Sequence, residues 1–226
     1  MKEITEVVFV LDMSGSMHHL TDDTIGGFNS FIEKQKDPDR ETLVTTVLFN
    51  TETKILHDRV SIEKIEPMTR RDYRPDGGTA LLDAVGETVD RVELIQDHLR
   101  AEDVPKHTVL AITTDGEENS SMKYDYETIK KMLDRVQNEK GWEVVFLGAN
   151  IDAERFGRSI GLGRRRCVSM DKDFRMSNVF SAMNDMICDI DLGVGFEEKS
   201  MSDYYHEAVG RNKNKTPTEA EDKDNK

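Results

Sequence analysis

Short runs of β-branched and apolar residues alternate with longer segments of helical spacing along most of this chain. That alternation restricts the fold more than any single motif does. Residues 4–11, Ile-Thr-Glu-Val-Val-Phe-Val-Leu, read as a strand buried on both faces. Residues 24–36 follow with Ile25, Phe28, Phe31 and Ile32 at helical intervals. The same reading predicts strands at 42–49, 107–113, 142–147 and 167–170, and helices at 79–99, 126–139, 153–160 and 178–190. Residues 53–65 hold two short alternating runs, 54–57 and 59–62, with Asp58 between them; they read as an edge strand and its continuation. Strands alternating with helices of this length imply βαβ units. The predicted fold class is therefore α/β, with a doubly wound, mostly parallel central sheet, one antiparallel edge strand and helices on both faces. Crossovers should be right-handed.

Charge narrows the partners. The 226 residues carry 31 Lys and Arg against 45 Asp and Glu, a formal net charge of −14. Sequence-independent binding to phosphates relies on clustered basic residues, so nucleic acid and anionic membranes are poor partners for such a chain. No apolar run approaches the ~20 residues that span a bilayer. The first residues, Met-Lys-Glu-Ile-Thr-Glu, lack the apolar core of a secretory signal, so a cytoplasmic location is expected. Cys167 and Cys188 make neither a disulfide framework nor a zinc site. The expected organisation is one domain over residues 1–195 and a polar tail over 196–226. Residues 211–226 contain no large apolar side chain, and disorder is expected from about 211 onward.

In an open parallel sheet, ligands bind beyond the carboxyl ends of the strands, where strand order reverses. The residues that follow each strand therefore matter most. Asp12-Met13-Ser14-Gly15-Ser16 follows the first strand, and Thr114-Asp115-Gly116-Glu117-Glu118 follows the 107–113 strand. Between them in sequence, Asp76-Gly77-Gly78-Thr79 opens the long helix. All three segments offer oxygen donors and glycines, and none offers His or Cys. That inventory suits a hard divalent cation: carboxylates from Asp12 and Asp115, hydroxyls from Ser14, Ser16 and Thr79. Gly15 eases the tight turn that lets positions 12, 14 and 16 converge.

These residues resemble the motif set of von Willebrand factor A domains. Asp12-Met13-Ser14-Gly15-Ser16 looks like that family's Asp-x-Ser-x-Ser, Gly78-Thr79-Ala80-Leu81 like its threonine segment, and Thr114-Asp115-Gly116 like its aspartate segment. The resemblance covers roughly residues 3–190 and is closest in kind to small, stand-alone bacterial or phage members. It implies a Rossmann-like fold and a complete metal ion-dependent adhesion site, with Asp12, Ser14, Ser16, Thr79 and Asp115 as ligands. It implies Mg²⁺ as cofactor, with Mn²⁺ or Ca²⁺ as alternatives. It also implies a protein partner that offers Glu or Asp to the metal, and a binding module rather than an enzyme. A metal-dependent hydrolase on the same scaffold, or a metal-free structural or accessory protein, are the alternatives.

Other features carry less. Taken singly, each of the five ligand candidates would be ordinary turn and cap chemistry. Glu117, Glu118 and Asp83 read equally well as groups that orient the site or as a solvated acidic rim. His18-His19 reads as a surface pair, and Arg164-Arg165-Arg166 as a solvated strand entry. Ser14 stands where a haloacid dehalogenase-type phosphatase needs a second Asp. No acidic pair of the response-regulator kind is evident near Val10-Leu11. The chain also has no Gly-x-x-x-x-Gly-Lys-Ser/Thr run and no Gly-x-Ser-x-Gly elbow.

Overall fold

The computed structural model describes residues 3–37, 39–149, 151–170 and 173–213. Six strands form one sheet: β1 (Ile4–Asp12), β2 (Glu41–Phe49), β3 (Thr53–Ser61), β4 (His107–Thr114), β5 (Glu143–Ala149) and β6 (Cys167–Met170). The α-helices among the described residues are α1 (Thr21–Gln35), α2 (Leu81–Asp97), α3 (Tyr126–Lys140), α4 (Ala153–Ser159), α5 (Met176–Asp191) and α6 (Met201–Lys213). The sheet order is β3-β2-β1-β4-β5-β6. All pairings are parallel except β2 with β3, so β3 is the antiparallel edge.

The β-branched runs lie in the middle of the sheet because both of its faces are covered. Along β1, Val7, Phe9 and Leu11 enter one core, while Val8 and Val10 enter the other. This is the period-two alternation of a strand, with both faces apolar. The first core holds α1, α5 and α6, and centres on Phe9. The rings of Phe28, Phe31 and Phe180 meet it edge-on at 5.8, 5.0 and 5.7 Å. Edge-to-face packing at such spacings is the preferred aromatic geometry. The second core holds α2 and α3 through Leu81, Val85, Val89, Ile129, Leu133 and Val136, closed by Trp142.

The two short runs predicted at 53–65 are one strand with a bulge. His57 pairs with Thr46 and Val60 with Val44, so Asp58 and Arg59 together oppose Thr45. Arg59 has φ of +50°, and its amide N–H donates to Thr45 Oγ1 at 3.1 Å. Bulges re-aim side chains. Here the guanidinium of Arg59 is turned onto the buried Glu6.

The packed fold does not stop at residue 195. Residues 201–213 form α6, whose Met201, Tyr204, Tyr205 and Ala208 are buried against the first core. The expected polar tail thus begins with a docked amphipathic helix, because apolar positions at i, i+3, i+4 and i+7, with Val209 packed beside them, suffice to anchor a helix of thirteen residues. Arg211, Asn212 and Lys213, placed in the expected disordered stretch, close that helix. The rest of that stretch, 214–226, lies outside the described residues. Among the described residues, no helix is long and apolar enough to cross a membrane.

Strand order reverses between β1 and β4. The chain winds one way from β1 to β2 and β3, then returns through α2 to β4 on the other side. The crevice beyond the carboxyl ends of β1 and β4 is where Asp12 and Thr114 end their strands.

Candidate metal centre

Asp12, the last residue of β1, is fully buried. One carboxylate oxygen accepts the Ser14 amide N–H at 2.7 Å, and the other accepts the Thr114 hydroxyl at 2.6 Å. Burial pushes the Asp12 carboxyl above its ordinary range, against these hydrogen bonds, and the neighbouring Asp115 charge pushes the same way. Among the described residues, no Lys, Arg or His pairs with it. The backbone is held as well as the side chain. The buried Tyr73 hydroxyl donates to the Asp12 carbonyl at 2.6 Å, and the Met13 amide donates to the Phe49 carbonyl at 2.6 Å.

The residues after Asp12 turn back over the strand end. Ser14 is buried and Ser16 is exposed, and their hydroxyls are 3.1 Å apart. The Ser16 hydroxyl donates to Asp115 Oδ1 at 2.5 Å. Asp115 is buried just past the end of β4. The Thr114 hydroxyl accepts the Gly116 amide at 3.2 Å, which folds the β4 loop into the same corner.

Thr79 arrives from the third loop. Gly77 has φ of +73°, a region that favours glycine, and its carbonyl accepts the Gly15 amide at 3.1 Å. Gly78 is forced by proximity: a Cβ there would stand 2.3 Å from Ser120 Oγ and 2.9 Å from Asn119 Oδ1. Gly116 marks where the loops converge. A Cβ on it would be 3.5 Å from Thr79 Oγ1 and 3.7 Å from Ser16 Oγ. The fold therefore gathers all five predicted residues, Asp12, Ser14, Ser16, Thr79 and Asp115, into one corner.

The predicted helix at 79–99 begins later, at Leu81, and that difference matters. Thr79 precedes the helix, and Ala80 at its N-cap has no capping side chain. The caps come from the β4–α3 loop instead. Asn119 Oδ1 accepts Thr79 N–H at 2.9 Å, Glu118 Oε2 accepts Leu82 N–H at 2.9 Å, and Ser121 Oγ accepts Asp83 N–H at 3.0 Å. Asp83 returns the favour by accepting the amides of Met122, Lys123 and Tyr124 at 2.8, 2.8 and 2.9 Å. Burial raises the Asp83 carboxyl, but these three amides outweigh it and hold it below its ordinary range. Asp83 and Glu118 are thus clips that join two of the three loops. Glu117 is exposed. Sequence reasoning placed Thr114 in the loop segment after the 107–113 strand without giving it a role, and it missed Tyr73, since neither carries a signal until tertiary structure brings it to Asp12.

No group of three or more His, Cys, Asp and Glu side chains suited to a metal occurs among the described residues. The corner offers two carboxylates and three hydroxyls, a different donor set. All five donors are oxygens, and one carboxylate is buried without a cationic partner among the described residues. Both features fit a hard divalent cation.

No family model matches the chain, and no curated protein matches it. Solved structures do. The von Willebrand factor domain of the type V pili tip protein Mfa5 from Porphyromonas gingivalis aligns over 86% of this chain and 97% of its own, at a TM-score of 0.58 and 12% identity. Proximal thread matrix protein 1 from the mussel byssus, in a structure described as having a zinc-occupied MIDAS motif, aligns over 83% of this chain at a TM-score of 0.57 and 12% identity. The ArnB paralog VWA2 from Sulfolobus acidocaldarius aligns over 82% at 0.53 and 15%. This chain spans 48% and 45% of the last two, about half of their lengths. At such identities the likeness is one of fold. The six-stranded mixed sheet with its antiparallel edge is the von Willebrand factor A-like α/β fold.

Proposed function

We propose that this chain is a metal-dependent protein-binding module, in which Asp12, Ser14, Ser16, Thr79 and Asp115 hold a divalent cation that an acidic residue of a partner protein completes. The observation that carries this reading is the Asp12 carboxylate. It is fully buried, oriented by Ser14 N–H and Thr114 Oγ1, and has no cationic side chain beside it among the described residues. A buried charge in that condition is costly until a cation arrives. The all-oxygen donor set favours Mg²⁺, with Mn²⁺ or Ca²⁺ as alternatives, and the zinc reported for the byssus protein lends support to a cation at this position of the fold.

When bound, the cation supplies a Lewis-acidic positive centre to a chain that otherwise repels acidic partners. The protein's own residues do the rest. The Ser14 amide and Thr114 hydroxyl fix the Asp12 carboxylate. The contacts of Asn119 fix the threonine loop, and the Ser16–Asp115 hydrogen bond joins the first and last loops. Two free cysteines suit a reducing compartment, and we place the module in the cytoplasm.

The test is thermal unfolding of the wild type and Asp12→Ala, each in chelator and in millimolar Mg²⁺. A cation bound only by the native state raises the wild-type midpoint and leaves the variant unmoved. No shift in the wild type with Mg²⁺, Mn²⁺ or Ca²⁺ would sink the metal reading. Phosphoester turnover that vanishes in both Asp12→Ala and Asp115→Ala would replace binding with hydrolysis.

A further inference from the structure

A cavity of about 380 Å³ opens beside the metal loops, and its walls are basic on a chain of net charge −14. Its side chains include His18, His19, Arg70 and Arg74, with Asp22 as its acidic member and Tyr73 as a buried wall. We propose that this cavity receives a second acidic side chain of the same partner segment whose first acidic side chain completes the cation site. The inference rests on the function proposed above and specifies the partner: an extended acidic peptide with two carboxylates.

Cavity and metal loops share their framework. Ser16 and His19 belong to one 3-10 turn, Gly15–Leu20, and the His19 ring Nδ1 lies 2.8 Å from the Ser16 carbonyl. Tyr73 lines the cavity while its hydroxyl holds the Asp12 carbonyl. The Arg74 amide lies against Met13 Sδ at 3.3 Å. The loop that carries the arginines is fixed, since Asn29 donates to the Met68 carbonyl and accepts the Met68 amide at 3.0 and 2.7 Å. A 3-10 turn rises ~2.0 Å per residue, so three residues separate Ser16 from His19 by ~6 Å. In an extended peptide, side chains two residues apart share a face at ~6.6 Å. Adjacent side chains of an extended peptide point to opposite faces, so carboxylates spaced i, i+2 are the arrangement that can face the metal corner and the cavity together.

The arginines are available to an incoming carboxylate. Arg70 pairs with Asp22, but the two side chains are 70% and 72% exposed, so water screens the pair and displacement is cheap. Among the described residues, Arg74 Nε reaches only the Arg70 carbonyl, at 3.3 Å. Arginine's planar fork is the group best matched to a carboxylate.

The probes are fluorescein-labelled Gly-Ser peptides bearing one Glu, or two Glu spaced i, i+2 or i, i+1. Binding is read by anisotropy on the full chain in Mg²⁺ and in chelator. The i, i+2 peptide should bind the wild type at least about fivefold tighter than the single-Glu and i, i+1 peptides, in Mg²⁺ only. Arg70→Ala/Arg74→Ala should erase that gain and leave single-Glu binding unchanged. Arg74→Ala alone, which among the described residues removes the weak hydrogen bond to the Arg70 carbonyl, should erase part of it. A gain that survives in the double variant, or no gain in the wild type, overturns the two-carboxylate inference while the metal reading stands. Failure of the wild type to bind Mg²⁺ in the same samples, read by calorimetry, overturns the metal reading itself.

Discussion

Two carboxylates sit at the two ends of one strand. Glu6 and Asp12 are both fully buried on β1, both at even positions of its alternation, and burial pushes both carboxyls above their ordinary ranges. Their surroundings differ. Glu6 meets Arg59 Nε at 3.1 and 3.2 Å and the Gln96 amide at 3.0 Å. Gln96 in turn donates to Thr108 and accepts from the Trp142 indole. Asp12 meets an amide, a hydroxyl and a second carboxylate nearby. One end of the strand brings its own cation on a β-bulge. The other end has no cationic side chain beside its carboxylate among the described residues. That contrast, more than the motif, is what supports the proposed cation site at the Asp12 end and a structural role at the Glu6 end.

The contrast predicts opposite responses to charge removal. Arg59→Met keeps the arginine's stem and leaves Glu6 buried without its partner, so it should cost about 3–5 kcal/mol in urea unfolding at neutral pH. Glu6→Gln in the same background should recover part of that cost. Asp12→Asn should do neither. In chelator it should change stability by less than ~1 kcal/mol, because the new amide can donate to the Thr114 hydroxyl while its oxygen keeps the Ser14 amide. In Mg²⁺ at 100 times its dissociation constant the wild type should gain about 2.7 kcal/mol, and Asp12→Asn should gain none. A large loss for Asp12→Asn in chelator would make the two ends alike and remove the argument for an external cation.

Asp83 is a third case, in which backbone amides stand in for the cation. Three N–H groups hold its carboxyl below the ordinary 3.8. A depressed carboxyl stabilises the fold above its unfolded value, and the contribution is lost as pH falls through the folded one. Asp83→Asn should therefore cost about 2 kcal/mol at neutral pH, since its new amide faces the Met122 N–H. Its stability should also fall less steeply than the wild type's below pH 3.8. Hydrogen exchange at Met122, Lys123 and Tyr124 should quicken. Unchanged exchange there would show that the clip does not hold the loop.

These cases also show what the sequence could reveal. β1, β4 and β5 are legible because double burial writes a continuous apolar run. Their loops stand out only jointly, because each Ser, Thr or Asp taken singly is ordinary turn and cap chemistry, whereas three such segments at the carboxyl ends of strands converge on one corner. Helix α6 is not legible as structure, although Met201, Tyr204, Tyr205 and Ala208 carry the spacing, because most of its remaining residues are polar. The runs 54–57 and 59–62 read as an edge strand and its continuation, but the bulge that joins them is not legible, because its partner, Glu6, lies 53 residues from Arg59 in sequence. Asp83 and Glu118 read equally as rim because their partners are backbone amides of another loop. Local pattern reports burial and turns; it does not report who satisfies whom across the sheet.

Gly116 gives the finest test of the two-ended strand. A Cβ there would meet Thr79 Oγ1 at 3.5 Å and Ser16 Oγ at 3.7 Å, which is ordinary contact. Gly116→Ala should therefore leave stability in chelator within about 0.5 kcal/mol of the wild type. The same methyl would lie between two of the proposed ligand oxygens, where a cation must approach. Mg²⁺ affinity, read by calorimetry, should fall about tenfold, equivalent to about 1.4 kcal/mol. A variant that loses stability without Mg²⁺ would show the corner to be packed for its own sake, as the Glu6 end is. A variant that keeps both stability and affinity would show that the cation, if bound, does not sit between Thr79 and Ser16. Only the split between the two readouts fits an end of β1 that is folded in advance and finished by a cation.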